Sequence, residues 1–90
     1  MHTFRNYHAK YAKVREYREK YPTGTRIRVT RFDDKEVTDE FPLATVSFVD
    51  GLCTLHVTFD NGIKRSVVPG IDTFRYLTDA EVKADEARRV

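Results

Sequence analysis

The side chains best suited to catalysis are few and far apart in this chain. The three histidines, His2, His8 and His56, share no spacing that holds a metal ion, either with one another or with the single cysteine. That cysteine, Cys53, lies three residues from His56, and strand residues three apart face opposite sides of a sheet. A buried structural cysteine is therefore expected rather than a Cys–His nucleophile. The sequence predicts a protein that is not an enzyme and uses no cofactor or metal ion.

Carboxylates are concentrated in one segment, DDKEVTDE, at residues 33–40. Its two acidic pairs are the candidate binding residues Asp33, Asp34, Asp39 and Glu40. A weak divalent-cation site is one interpretation of such a run, but a solvated loop is the commoner one, so no metal site is predicted. A further interpretation is that these carboxylates imitate phosphate groups toward a protein partner.

Basic residues are concentrated at the start of the chain. Residues 1–21 carry six lysines and arginines against two glutamates, a local charge of +4, whereas the whole chain has a net charge of +2. A basic arm on a slightly acidic body favours an anionic partner, and the alternative is a solvated helix face. The candidate basic contacts are Lys10, Lys13, Arg15, Arg18 and Lys20 in the arm, with Arg26 and Arg28 just after it.

Tyrosines alternate with these basic residues, so they either stack on the bases of a nucleic acid or pack into a core. One helical face recurs at spacings of three and four, at Phe4, Tyr7, Tyr11, Val14, Tyr17 or Arg18, and Tyr21. That period predicts an amphipathic helix within residues 1–21, with its aromatic side chains inward and its basic side chains outward. Tyr17 and Tyr21 fall at the edge of the apolar stripe and are the candidate aromatic contacts.

After the helix the apolar residues alternate, which is typical of strands. Five strands are predicted, at residues 25–32, 43–50, 52–59, 63–68 and 74–77. Val46 and Phe48 are expected on one face of the second strand, and Cys53 and Phe59 on one face of the third. Tight turns are expected at Asp50-Gly51 and at Asn61-Gly62, the second of type I′.

The end of the chain is predicted to form a short charged helix over residues 79–90. Thr78 followed by Glu81 has the spacing of a capping box. The whole chain then forms one domain of the mainly β (α+β) class. We expect a small five-stranded SH3-like barrel at residues 22–78, with an N-terminal amphipathic helix and a short C-terminal helix. An OB-type barrel is less favoured because a tight turn replaces its usual helix between the third and fourth strands.

The segment from Tyr21 to Leu77 resembles a small uncharacterised domain family of Gram-positive bacteria, their phages and their mobile elements. The resemblance is carried by the stretches YPTGTRIRVTRFDD, VSFVDGLCTLHVTFDNG and VVPGIDTFRYL. It implies an SH3-like barrel and a phage or mobile-element setting, and it implies no reaction. Both terminal helices lie outside the resemblance, so we expect the basic arm to be specific to this chain.

These features favour a non-enzymatic binding protein that interferes with a host protein, such as a defence (CRISPR-type) nuclease. The alternative is a nucleic-acid-binding accessory protein that uses the basic helix and a face of the barrel. Sequestration of a nucleotide signal is a further alternative. No apolar run approaches the roughly 20 residues of a membrane span, so no membrane partner is expected. A location in the cytoplasm of the bacterial host fits the single cysteine, and the oligomeric state stays open.

Overall fold

The computed structural model describes residues 2–32 and 40–89. Helix α1 spans His2–Lys20 and helix α2 spans Asp79–Arg89. Five strands lie between them: β1 at Arg26–Arg31, β2 at Leu43–Val49, β3 at Leu55–Phe59, β4 at Lys64–Val67 and β5 at Thr73–Tyr76. The predicted order of helix, five strands and helix is therefore confirmed, and the protein is a small α+β domain.

The strands form one antiparallel sheet in the order β4-β3-β2-β1-β5. Strands β1 to β4 follow one another as a meander, and β5 returns to pair with β1. Within residues 2–32 and 40–89, no strand pairing joins β4 to β5, so the sheet is open. The predicted SH3-like barrel is not confirmed.

One face of the sheet carries the core, and we call it the inner face. Its buried side chains come from the first four strands: Ile27, Val29, Ala44, Val46, Val49, Leu55, Val57, Phe59 and Val67. Helix α1 covers part of this face with Tyr17 and Tyr21, which pack against the cluster, and its Val14 is buried. The predicted amphipathic packing of the helix therefore holds along its second half.

Tyr11 corrects the predicted apolar stripe, because its side chain is 57% exposed. Among the side chains that the structure describes, the Cys53 thiol donates to the Lys13 carbonyl and the Tyr76 hydroxyl donates to the Lys20 carbonyl, so these contacts with the sheet and its turns lie after Tyr11. Helical period alone does not reveal which residues of a helix contact the sheet.

A β-bulge at Ser47 changes the faces predicted for β2. Val46 pairs with Val57, and Phe48 pairs with the next residue of β3, His56. Ser47 is therefore an extra residue on β2 with no partner of its own on β3. The extra residue turns Phe48 onto the outer face and leaves Val46 in the core. The expectation that Val46 and Phe48 share a face is therefore wrong.

The two hairpin turns have the same geometry, which differs from the predicted one. In the turn after β3, the Gly62 amide donates to the Phe59 carbonyl at 2.8 Å, and the Phe59 amide donates to the Ile63 carbonyl at 2.9 Å. Gly62 has a φ of 89°, whereas the described turn has no positive φ at Asn61. This is a type I turn followed by a left-handed residue, so the predicted type I′ turn is wrong.

Cys53 occupies the same left-handed position in the turn after β2. Its amide donates to the Asp50 carbonyl at 3.1 Å, the Asp50 amide donates to the Thr54 carbonyl at 3.0 Å, and Cys53 has a φ of 66°. Cys53 therefore lies in the turn and not in β3, and it is half-buried rather than buried. A residue with a Cβ is strained in this conformation, whereas glycine is not.

Replacing Cys53 with glycine is expected to raise the free energy of unfolding by about 0.5 to 1 kcal/mol, because it removes this strain. Gly62→Ala is the matched opposite change, since a Cβ at Gly62 would meet no atom within 4 Å and only the backbone conformation is strained. We expect it to lower the free energy of unfolding by about 1 kcal/mol. Urea denaturation of both variants measures the effects, and a Cys53→Gly variant less stable than the wild type would contradict the argument.

Candidate binding surfaces

Arg26 is the centre of an ion-pair network on the outer face of the sheet. It donates to both carboxylate oxygens of Asp85 on α2, at 3.0 and 2.8 Å, and to both of Asp60 after β3, at 2.7 and 2.9 Å. It also donates to the Thr45 hydroxyl at 2.9 Å. The hydrogen bonds that Arg26 donates to Asp60 and then to Asp85 raise its pKa above the ordinary value, against the effect of burial. Arg26 therefore joins β1 to α2 and to the end of β3.

Glu81 forms the second link between α2 and the sheet. It accepts hydrogen bonds from Arg28 on β1 at 2.9 Å and from Arg75 on β5 at 2.6 Å. The side chain of Arg75 and then the amide of Thr78 lower the pKa of Glu81 to about 2. The Thr78 amide donates to Glu81 and the Glu81 amide donates to the Thr78 hydroxyl, which confirms the predicted capping box.

These contacts decide where two of the candidate basic residues lie. Arg26 and Arg28 share the outer face of β1, as the alternation of the strand predicted. Their guanidinium groups are engaged by the carboxylates of Asp85 and Glu81, so α2 covers this part of the face. The sequence marked Glu81 as a capping residue but held no signal that α2 would fold onto β1.

The remaining candidate contacts are spread over α1 and its ends. Lys13 and Arg15 are exposed, Arg18 donates to the Val49 carbonyl at 3.0 Å, and Lys20 pairs with Glu16 at 3.2 Å. Lys10 lies in α1, and its side chain is outside the described part of the structure. Glu40 is exposed, whereas Asp33, Asp34 and Asp39 lie outside the described residues.

An aromatic cleft lies between α1 and the turn that precedes β5. The ring of Tyr21 contacts Tyr17, Phe74 and Tyr76, with centroid distances of 5.8, 5.4 and 5.2 Å. Tyr17, Tyr21 and Phe74 face a shallow cavity of about 290 Å³, whose other wall is the turn at residues 69–73. Burial is the main cause that raises the pKa of Tyr21. The two candidate aromatic residues are therefore brought together on one surface.

A hydrogen bond within the turn gives this wall its shape. The Asp72 carboxylate accepts from the Val68 amide at 2.8 Å, and the Asp72 amide donates back to the Val68 carbonyl at 2.8 Å. Gly70 has a φ of 91°, which a residue with a side chain adopts only under strain. The closed turn holds Ile71 at its tip with 71% of the residue exposed.

A second aromatic surface lies on the outer face, and the sequence did not predict it. The rings of Phe48 and His56 stack with centroids 4.3 Å apart and planes 9° apart. The His56 ring also lies 2.8 Å from the Asp50 carboxylate, and the hydrogen bond to His56 is the main cause that lowers the pKa of Asp50. We call Phe48 and His56 the outer platform.

In residues 2–32 and 40–89 the fold is thus a small α+β domain, with an open five-stranded antiparallel sheet, helices α1 and α2, and the two aromatic surfaces described above. Comparison with protein-family models matches residues 10–77 to the Domain of unknown function (DUF4314) family. The chain belongs to that family. Neither the curated proteins nor the solved structures contain a match to this chain.

The family match confirms the resemblance to a small uncharacterised domain family and corrects its extent. The match begins at Lys10, within α1, so residues 10–21 of the arm fall inside the family domain and only residues 1–9 lie outside it. It ends at Leu77, so α2 lies outside the match, as expected.

Among the described residues, no helix is long and apolar enough to cross a membrane. The same residues hold no group of three or more His, Cys, Asp or Glu side chains that could bind a metal ion.

Proposed function

We propose that this protein is a non-enzymatic binding protein that holds an extended segment of a protein partner in the aromatic cleft. The observation that carries the proposal is the ring cluster of Tyr17, Tyr21 and Phe74 facing an open cavity of about 290 Å³. Grooves lined by aromatic rings bind extended, proline-rich segments, because such segments lose little conformational entropy on binding. Tyrosines also contribute a large share of the energy at protein interfaces.

Two features support a finer description of the fold and the setting. The meander of β1 to β4, with β5 returning beside β1, supports an SH3-like barrel that stays open between β4 and β5. The resemblance to domains of phages and mobile elements supports a partner in the host cell. We propose a host protein in the cytoplasm, such as a defence nuclease, that is blocked by direct contact.

The test uses two exposed side chains at the tips of two turns. Ile71 lies in the turn whose residues Pro69, Gly70, Asp72 and Thr73 line the aromatic cleft, and it is 71% exposed. Leu52 lies in the turn after β2 and is 69% exposed. Tagged wild type, Ile71→Asp and Leu52→Asp are purified from the host after nuclease treatment. The expected result is one stoichiometric protein partner that the wild type and Leu52→Asp retain and Ile71→Asp loses.

Two other outcomes would overturn the proposal. A partner that is lost after nuclease treatment would indicate binding through nucleic acid. A partner that Ile71→Asp retains while Leu52→Asp loses it would move the interface away from the aromatic cleft. Circular dichroism of the three proteins checks that each is folded, which both exposed positions are expected to permit.

A further inference from the structure

Phe48 presents an aromatic ring to solvent from an internal strand of the sheet. The bulge at Ser47 directs it outward, and 53% of the residue is exposed. One face of the ring lies on the imidazole of His56, which is held in turn by Asp50 at 2.8 Å. The ring is therefore held in one orientation before any ligand arrives, so a ligand that stacks on it loses little entropy to ordering.

The surroundings of this ring are cationic and rich in hydroxyl groups. A shallow cavity of about 330 Å³ is bordered by Phe48, His56, Lys64, Arg65, Ser47 and Ser66. The side chain of Lys64 is exposed, and it forms no ion pair with the residues that the structure describes.

The carboxylate of Asp50, which contacts the His56 ring of the platform, also accepts hydrogen bonds from its own turn. Its Oδ1 accepts from the amides of Leu52 and Thr54 at 2.8 and 3.0 Å, and its Oδ2 contacts the His56 ring. Its charge is therefore partly compensated by the turn that it closes. Lys64 and Arg65 are the cationic side chains that border this cavity.

We propose that the outer platform binds single-stranded nucleic acid, with a base stacked on Phe48 and a phosphate held by Lys64. Only single strands offer bases with an open face, and such bases stack on aromatic side chains of sheets while cations follow the backbone. The exposed Lys13 and Arg15 on α1 add positive potential that attracts a polyanion. This site is distinct from the aromatic cleft and does not depend on the proposed function.

Helix α2 limits how far a bound strand extends along the outer face. Glu81 and Asp85 engage the arginines of β1 and β5, and their carboxylates would meet further phosphates. A bound strand therefore contacts few phosphates on the open half of the sheet. Because each contact on a single strand contributes about −0.7 to the slope of log K against log salt, the expected slope is only about −1 to −2.

Fluorescence anisotropy with a labelled twelve-nucleotide DNA or RNA of mixed sequence tests the proposal in 50 mM salt. Phe48→Ala is expected to weaken binding about tenfold, the loss of one base stacked on an aromatic ring. Phe48→Tyr is expected to retain binding, and Lys64→Glu to weaken it and to flatten the salt dependence. Ile71→Ala is the control, an exposed apolar truncation on the other surface, and it should change affinity less than about twofold.

Three results would overturn the proposal. The first is that the wild type does not bind the oligonucleotides. The second is that Phe48→Ala and Ile71→Ala lose equal affinity for them. The third is that a duplex of the same sequence binds as tightly as the single strand. A protein partner that Phe48→Ala loses, in the absence of oligonucleotide binding, would assign the platform to that protein instead. The partner experiment with Ile71→Asp stands apart from all these outcomes, because Ile71 belongs to the other surface.

Discussion

The variant Arg26→Ala is expected to lower the free energy of unfolding by about 3 kcal/mol, the usual effect of breaking a buried ion pair. Asp85 is only 5% exposed, and without Arg26 its carboxylate would lose its hydrogen bonds from the sheet. Asp60 would lose two hydrogen bonds as well. The part of α2 around Asp85 is then expected to loosen from β1, whereas Glu81 still pairs with Arg28 and Arg75.

Arg75→Ala is the matched control, because it removes an arginine that binds the same helix at an exposed position. Exposed ion pairs contribute at most about 1 kcal/mol, so its effect should be small. Urea denaturation measures both variants, and hydrogen exchange of the amides of α2 reports its loosening from the sheet. Equal effects of Arg26→Ala and Arg75→Ala would show that the network is no more than a surface contact.

The second expected result is a large difference in the free energy of unfolding between alanine variants of two phenylalanines, Phe59 and Phe48, that lie on neighbouring strands. Phe59→Ala should lower the free energy of unfolding by about 3 to 5 kcal/mol, because it leaves a cavity in a closely packed core. Phe59 is 1% exposed and contacts Phe32 at 6.0 Å between ring centroids. Phe48→Ala should change the free energy of unfolding by at most about 0.5 kcal/mol, as is usual for an exposed side chain.

The contrast tests the bulge at Ser47 directly, because a regular β2 would place Phe48 on the same face as Val46. Thermal and urea unfolding of both variants provide the measurement. A loss of stability in Phe48→Ala close to that in Phe59→Ala would mean that both rings lie in the core. If Phe48→Ala is as stable as the wild type, a loss of nucleic acid binding in this variant means that a contact is lost and not that the protein is unfolded.

Much of the fold could be predicted from the order of residue types alone. Helix α1, the five strands and the cap at Thr78 follow from period, turn residues and side-chain chemistry over a few neighbouring positions. Burial of Phe59 and the outward direction of His56 follow from strict alternation along β3. These features are local, since each depends on residues within one turn of helix or one strand.

The candidate surfaces were predicted less well. Tyr17 and Tyr21 were identified at the edge of the helical stripe, but Phe74 and the turn at residues 69–73 joined them only in the folded chain. Arg26 and Arg28 were placed on one face, but the partner of that face is α2, more than 50 residues away in sequence. Phe48 was expected on the same face as Val46, because one inserted residue in a ladder leaves no mark in an alternating pattern.

The order of the helices and strands and the cap at Thr78 follow from short stretches of the amino-acid sequence, and the same sequence identifies a family described as a domain of unknown function. Which arginines pair with α2, which rings share a cleft and which ring faces solvent depend on the folded chain. The reason is physical: local periods specify the direction of a side chain relative to its own element, whereas a contact depends on where two elements meet. Strand register, bulges and helix docking determine where two elements come into contact, and all three arise from the packing of the whole chain.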